Sequence, residues 1–205
     1  MSFTWFTGFL AIAVGTDFGG GIAWLFKEHQ KSIVTIYGLC GGLLLGLISF
    51  GIVPEVILLG DWMILLLGLL AGVILFELLH SIFPSVSINE SKTNFIRTGV
   101  LLTLSISIHN LPIGIMLESS QDTSLSISLL QTMILHSIPE GMILFTPLFM
   151  AGIGFFGWVG LLTIVSLPVA AGSFFGNIIG MNNPSVMAFI MSLTVGTFLS
   201  SQLEK

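Results

Sequence analysis

Residues 97–117 read RTGVLLTLSISIHNLPIGIML, and beyond Arg97 the run holds no Asp, Glu, Lys or Arg. At ~1.5 Å per helical residue, about twenty residues cover the ~30 Å hydrocarbon core of a bilayer. A helix here crosses a membrane with His109 and Pro112 near its middle. Comparable apolar runs lie on both sides of it. Working outward, spans fall near 3–26, 31–53, 61–83, 97–117, 124–148, 153–181 and 184–203. Together they use up the 205 residues, so the expectation is a single transmembrane domain over 1–205. The fold class is an all-α polytopic membrane protein, a seven-helix transmembrane bundle.

Composition agrees. Only 7% of residues are charged and 54% are hydrophobic, with a mean hydropathy of +1.07, whereas soluble domains carry about 25% Asp, Glu, Lys and Arg. A net charge of −5 with no basic stripe excludes nucleic acid as a partner. Cys40 is the only cysteine, so no intrachain disulfide forms. The first run has no basic n-region and no small-residue cleavage site, so it is expected to be retained as a span.

Charge sets an orientation. Lys27 and Lys31 follow span one, Lys92 and Arg97 follow span three, and Lys205 follows span seven. All five basic residues therefore share one side, which the positive-inside rule makes cytoplasmic, with the N-terminus outside. The opposite side collects Glu55, Asp61, Glu118 and Asp122, an acidic face that concentrates cations. Trp5, Trp24, Tyr37 and Trp62 fall near span ends, at headgroup depth. Small residues recur at four-residue spacing: Ala11, Gly15, Gly19 and Ala23; Gly38, Gly42 and Gly46; Gly68 and Gly72; Gly172, Gly176 and Gly180. Such stripes let helix backbones approach closely in lipid. The nine methionines read as packing or lipid-facing residues.

A carboxylate at a span centre costs ~2.5–3.5 kcal/mol, so each one needs a reason. The candidates are Asp17, Glu77 with His80, His109, and His136 with Glu140. Spans four and five share a pattern, His109-Asn110-Leu111-Pro112-Ile113-Gly114 and His136-Ser137-Ile138-Pro139-Glu140-Gly141. His136 and Glu140 are four apart and share a helix face, where two ligands can converge on one ion. Each proline frees the carbonyl four residues before it, an additional oxygen beside the imidazole. His109 and His136 each lie about 18 Å from one end of their spans, at twelve residues and 1.5 Å per residue. Both rings therefore sit close to the midplane, on antiparallel neighbours. Two imidazoles and a carboxylate, completed by Asn110, Ser137, a carbonyl or water, suit Zn²⁺, Fe²⁺, Mn²⁺ or Co²⁺ better than Ca²⁺ or Mg²⁺. Asp17 is an accessory candidate, as a proton acceptor or outer-shell partner of the site or else as a partner of Ser or Thr on a neighbouring helix. Glu77 and His80 share a face and read first as an ordinary interfacial pair and second as an exit relay; Glu118 is part of the acidic face.

These residues resemble the ZIP family of divalent-metal transporters. HNLPIG is similar to that family's fourth-span His-Asn-x-Pro-Glu-Gly, and the LHSIPEG segment to its fifth-span His-x-x-Pro-Glu-Gly. SFGIVPEV, GTDFGGGIAW and SLPVAAGSFFG resemble its second, first and sixth spans. The resemblance implies passage of Zn²⁺, Fe²⁺ or Mn²⁺ into the cytoplasm across the plasma membrane, two bundles moving against each other, and pairing as a homodimer. It matches His109 and Asn110 to fourth-span ligands, and His136, Ser137 and Glu140 to fifth-span positions. Ile113 and Leu167 stand where the family carries acidic residues, and the family's eighth span has no counterpart here. With Glu140 the remaining carboxylate at these positions, one metal site is expected rather than two.

The leading expectation is therefore a transporter of a divalent transition metal working by alternating access, with the metal as substrate and no resident cofactor. Protonation of the imidazoles weakens metal binding, which makes flux fall at low pH. The alternative is a transport-incompetent metal sensor or assembly subunit, motivated by Ile113 and Leu167. A membrane-embedded metalloenzyme is a third reading, but the chain has no HExxH and no loop large enough to hold a substrate, so the expectation is not an enzyme.

Overall fold

The computed structural model describes residues 3–26, 30–82, 91–119, 123–179 and 183–203. These are helical nearly throughout, as lipid demands: a spanning segment has no water to satisfy its backbone, and a helix satisfies it internally. The helices are α1 (Thr4–Phe26), α2 (Gln30–Leu47), a π-helical turn (Ile48–Ile52), α3 (Val53–Leu59), α4 (Trp62–Ile82), α5 (Ser91–Ser119), α6 (Thr123–Met150), α7 (Phe155–Ile179) and α8 (Pro184–Leu203). Among the described residues, six helical stretches are long and apolar enough to cross a membrane, and Pro184–Ser200 is a shorter apolar one. The chain is an all-α integral membrane protein.

Two spans differ from the sequence expectation. The second continues past residue 53, because the π turn carries α2 into α3 and the chain stays helical to Leu59. Pro54 sits at the start of α3, where a missing N–H costs no hydrogen bond. The fourth begins at Ser91 rather than near 97, extending α5 on the side of Lys92. Lys27, Asp122, Gly180, Lys205 and most of the Pro84–Asn94 loop lie outside the described residues, as do the side chains of Lys31 and Tyr37. Trp5, Trp24 and Trp62 are exposed near helix ends.

Asp61 Oδ1 accepts hydrogen bonds from the backbone N–H groups of Met63 (2.7 Å) and Ile64 (2.9 Å), capping α4. At the far end of α6, Gly152 takes φ +83°, and Ile153 N–H donates to the Leu148 carbonyl, ending the helix in a left-handed turn.

Three helix pairs form the tight contacts: α1 with α6, α5 with α7, and α4 with α8. In each pair glycines on both members bring backbone onto backbone. A Cβ on Gly15 or Gly19 would strike the carbonyls of Ile134 or Ile138, and one on Gly141 would strike that of Thr16. Gly172 meets Leu111 while Gly114 meets Val169, and Gly72 meets Leu193 while Gly196 meets Leu69. Because α1 also packs on α7, helices α1, α5, α6 and α7 make one four-helix group. Helices α4 and α8, with α3 against α8, make a second. The stripe Gly38, Gly42 and Gly46 does not repeat this pattern: a Cβ on any of them would meet no atom within 4 Å.

Candidate metal centre

His109 comes from the middle of α5, and His136 and Glu140 from adjacent turns of α6. All three are buried, and the His109 ring lies 6.1 Å from that of Phe198 on α8. One ligand atom from each residue lies within 4.8 Å of the others, and among the described residues this is the group of His, Cys, Asp or Glu that could hold an ion. The two imidazole centroids are 6.2 Å apart with the rings near perpendicular, at 84°. His109 Nε2 stands 3.8 Å from Glu140 Oε1, too long for a hydrogen bond.

The polar atoms point to a ligand. His136 Nδ1 lies 2.8 Å from the Thr132 carbonyl one turn earlier. A carbonyl only accepts, so Nδ1 carries the proton and Nε2 presents its lone pair. His136 Nε2, His109 Nδ1 and Glu140 Oε2 are all buried without a hydrogen-bond partner. Leaving one such atom unmade costs about 1–3 kcal/mol, more when charged. An unpartnered atom on each of the three residues of the cluster fits a site built for a ligand, although on His109 and Glu140 it is Nε2 and Oε1, not the orphaned atoms, that face each other. In a tetrahedral zinc site, bonds of ~2.0–2.1 Å put ligand atoms about 3.3 Å apart. Donors that lie within 4.8 Å of one another would close by up to about 1.5 Å to reach that spacing.

A cavity of about 190 Å³ leads to the two imidazoles. One wall is α5 and α6. The other is the second span and α8, which contribute Leu47, Gly51, Ile52 and Glu55, and Met191 and Thr194. Glu55 is exposed and supplies the one acidic side chain of the lining. Further along α6 from Glu140, Leu144, Phe145 and Leu148 are buried core, as is Leu102 of α5.

A family model described as the ZIP zinc transporter matches residues 85–201, more than half of the chain and the part that carries the cluster. The chain belongs to the ZIP zinc transporter family. Its class of activity is accordingly metal-ion transport across a membrane, and the family is one of transporters rather than enzymes. No curated protein matches the chain in sequence.

The remaining sequence candidates of this ZIP protein each have their own surroundings. Asn110 is fully buried, and its side-chain N–H donates to the Val165 carbonyl of α7 at 2.9 Å, leaving Oδ1 without a partner. Ser137 donates to the Met133 carbonyl at 2.7 Å and packs beside Gly15 of α1. Asp17 is on the exposed face of α1, turned from the face that packs on α6. Glu77 is exposed on α4, and the His80 ring lies 6.2 Å from that of Phe76. Glu118 is tied by the hydroxyls of Thr4 and Ser173, the latter at 3.0 Å, and so joins α5 to α1 and α7. Of the four acidic residues on that face, Asp61 caps a helix, Glu118 joins three, and Asp122 is outside the described residues. Glu55 alone among them reaches the cavity.

Ile113, at the family's acidic fourth-span position, lines the cavity, whereas Leu167 is 58% exposed on the outside of α7. Met133 and Met191 are buried core residues and Met116 packs against the core, in keeping with the packing reading, and all three also line the cavity. Two of them carried a signal: Met116 is seven residues after His109 and Met133 three before His136, so each shares its histidine's helix face.

Proposed function

We propose that this ZIP protein carries a divalent transition-metal cation, Zn²⁺ foremost, with Fe²⁺ and Mn²⁺ in the same class, into the cytoplasm by alternating access. The cation binds at His109, His136 and Glu140. The observation that carries the reading is the clustering of two buried imidazoles and a buried carboxylate, with a ligand atom of each within 4.8 Å of the others, beside a cavity that both imidazoles line. With two neutral imidazoles and one carboxylate the site holds charge −1, enough for one dication and too little for two.

The ligands all belong to the four-helix group, while the facing wall belongs to the second span and α8. Glycine contacts lock helices within each group, and side chains fill the boundary between them. Motion at that boundary closes the cavity toward Glu55 and opens a path past Met142 and Phe145. On the orientation read from charge, the cavity opens outward, and an outward-open site closed below is one of the two states alternating access requires. Location in the plasma membrane, an external N-terminus and pairing as a homodimer complete the reading, on the charge asymmetry and the resemblance.

The test is uptake of radioactive ⁶⁵Zn²⁺ into proteoliposomes by the wild type, His136→Ala and Glu140→Ala. The wild type accumulates metal and both variants lose uptake; normal uptake by both removes the site from the pathway.

A further inference from the structure

We infer that the cavity above the imidazoles is a selectivity filter in which Met116, Met133 and Met191 favour soft and borderline cations over hard ones. The inference rests on the transport reading and adds to it which cations pass. Three of the chain's nine methionines line this one cavity, and they come from three helices, α5, α6 and α8. They share it with the two imidazoles, Glu55, the hydroxyls of Thr132 and Thr194, and otherwise apolar side chains. The Thr132 carbonyl already faces His136 Nδ1, and the carbonyls that Pro112 and Pro139 free, of Ile108 and Leu135, adjoin the imidazoles in sequence rather than the methionines.

A cation moving from Glu55 to the imidazoles must shed water in this space. A thioether sulfur is a polarisable donor that replaces water well for Cd²⁺, Zn²⁺ or Cu⁺ and poorly for Mn²⁺, Mg²⁺ or Ca²⁺, which want oxygen. The two hydroxyls alone leave a hard cation under-coordinated midway. Met133 stands one turn from His136 and Met116 two turns from His109, so sulfur and then nitrogen follow one another along the same faces. Discrimination thus begins before the cation reaches His109, His136 and Glu140, which as a mixed nitrogen and oxygen set accept Mn²⁺ as well as Zn²⁺.

The competing account is that the methionines fill an irregular gap. Replacement by leucine separates the two, because it conserves volume and apolar character while removing the sulfur. The experiment measures uptake of Cd²⁺ and Mn²⁺ by proteoliposomes holding the wild type, the triple variant Met116→Leu, Met133→Leu, Met191→Leu, and His136→Ala. The wild type prefers Cd²⁺. The triple variant keeps its thermal midpoint and its Mn²⁺ uptake, while its Cd²⁺-to-Mn²⁺ ratio falls about tenfold through a higher half-saturation concentration for Cd²⁺. An unchanged ratio in the triple variant overturns the filter and leaves the transport reading standing. Undiminished uptake by His136→Ala overturns the site without bearing on the ratio, and no uptake by the wild type overturns transport and the filter together.

Discussion

Gly141→Ala tests how the fold holds the proposed metal ligands in place. Gly141 follows Glu140 on α6, and a Cβ there would lie 2.9 Å from both the carbonyl carbon and the Cα of Thr16 and closer still to the Thr16 oxygen. Ordinary contact begins at 3.4 Å, so α1 and α6 must part by at least roughly 0.5 Å (3.4 less 2.9). The obstructing atoms are backbone of α1 and cannot swing aside. Gly15 and Gly19 grip the carbonyls of Ile134 and Ile138 along the same seam, so the shift spreads along α6 and carries His136 and Glu140 away from His109 on α5. Overpacking of this kind costs about 1–3 kcal/mol, of which the better helix propensity of alanine returns at most about 1. A binding constellation tolerates about 0.5 Å of displacement. Zinc affinity therefore falls about tenfold or more, equal to ~1.4 kcal/mol, with a lower thermal midpoint. Titration calorimetry with Zn²⁺ on detergent-purified protein reads the affinity, and a thermal melt reads the stability. Gly42→Ala is the control, since its Cβ meets nothing within 4 Å, and it leaves both unchanged. Wild-type affinity and stability in Gly141→Ala, or equal damage from Gly42→Ala, refutes the reasoning.

Glu118→Ala removes the acceptor shared by Thr4 and Ser173, lowering the thermal midpoint by a loss of about 1–3 kcal/mol while zinc affinity stays put; a drop in affinity would place Glu118 on the metal path. Glu55→Gln raises the half-saturation concentration for uptake about threefold at low ionic strength, and the difference shrinks at 0.5 M salt, as screening of an exposed charge requires. A salt-independent effect would mean that Glu55 binds metal directly. The wild type binds one Zn²⁺ per chain, and Ile113→Glu, which adds a carboxylate to the cavity wall, brings a second equivalent into equilibrium dialysis; two equivalents in the wild type contradict the charge argument.

The spans were legible because lipid allows a chain with so few charges essentially one secondary structure, and run length then counts the helices. The cluster was legible for a similarly local reason. His136 and Glu140 share a face by spacing, and His109 reaches the same depth by counting from the opposite end of its neighbour. What stayed hidden depends on rotation and on third parties. Asn110 and Ser137 sit beside His109 and His136 in sequence, yet one residue along a helix turns a side chain by about 100°. The Asn110 amide N–H and the Ser137 hydroxyl donate to the Val165 and Met133 carbonyls, while Asn110 Oδ1 has no partner among the described residues. Gly38, Gly42 and Gly46 look like Gly68 and Gly72, but only the latter pair has a facing helix, and no periodicity announces a partner. The sequence places the second span near 31–53, and the helix instead runs on through Pro54, because the π turn before it puts the proline at the start of α3, where it is tolerated. The methionine lining needed three helices to be in place before it could be seen.

The account stands or falls on the atoms that surround a bound cation. Zinc-edge X-ray absorption on the purified protein loaded with one equivalent of Zn²⁺ reads them directly. The account predicts two imidazole nitrogens at about 2.0–2.1 Å and a carboxylate oxygen at about 2.0–2.2 Å, with one imidazole lost in His109→Ala. A shell of oxygens alone, or an unchanged spectrum in that variant, contradicts it.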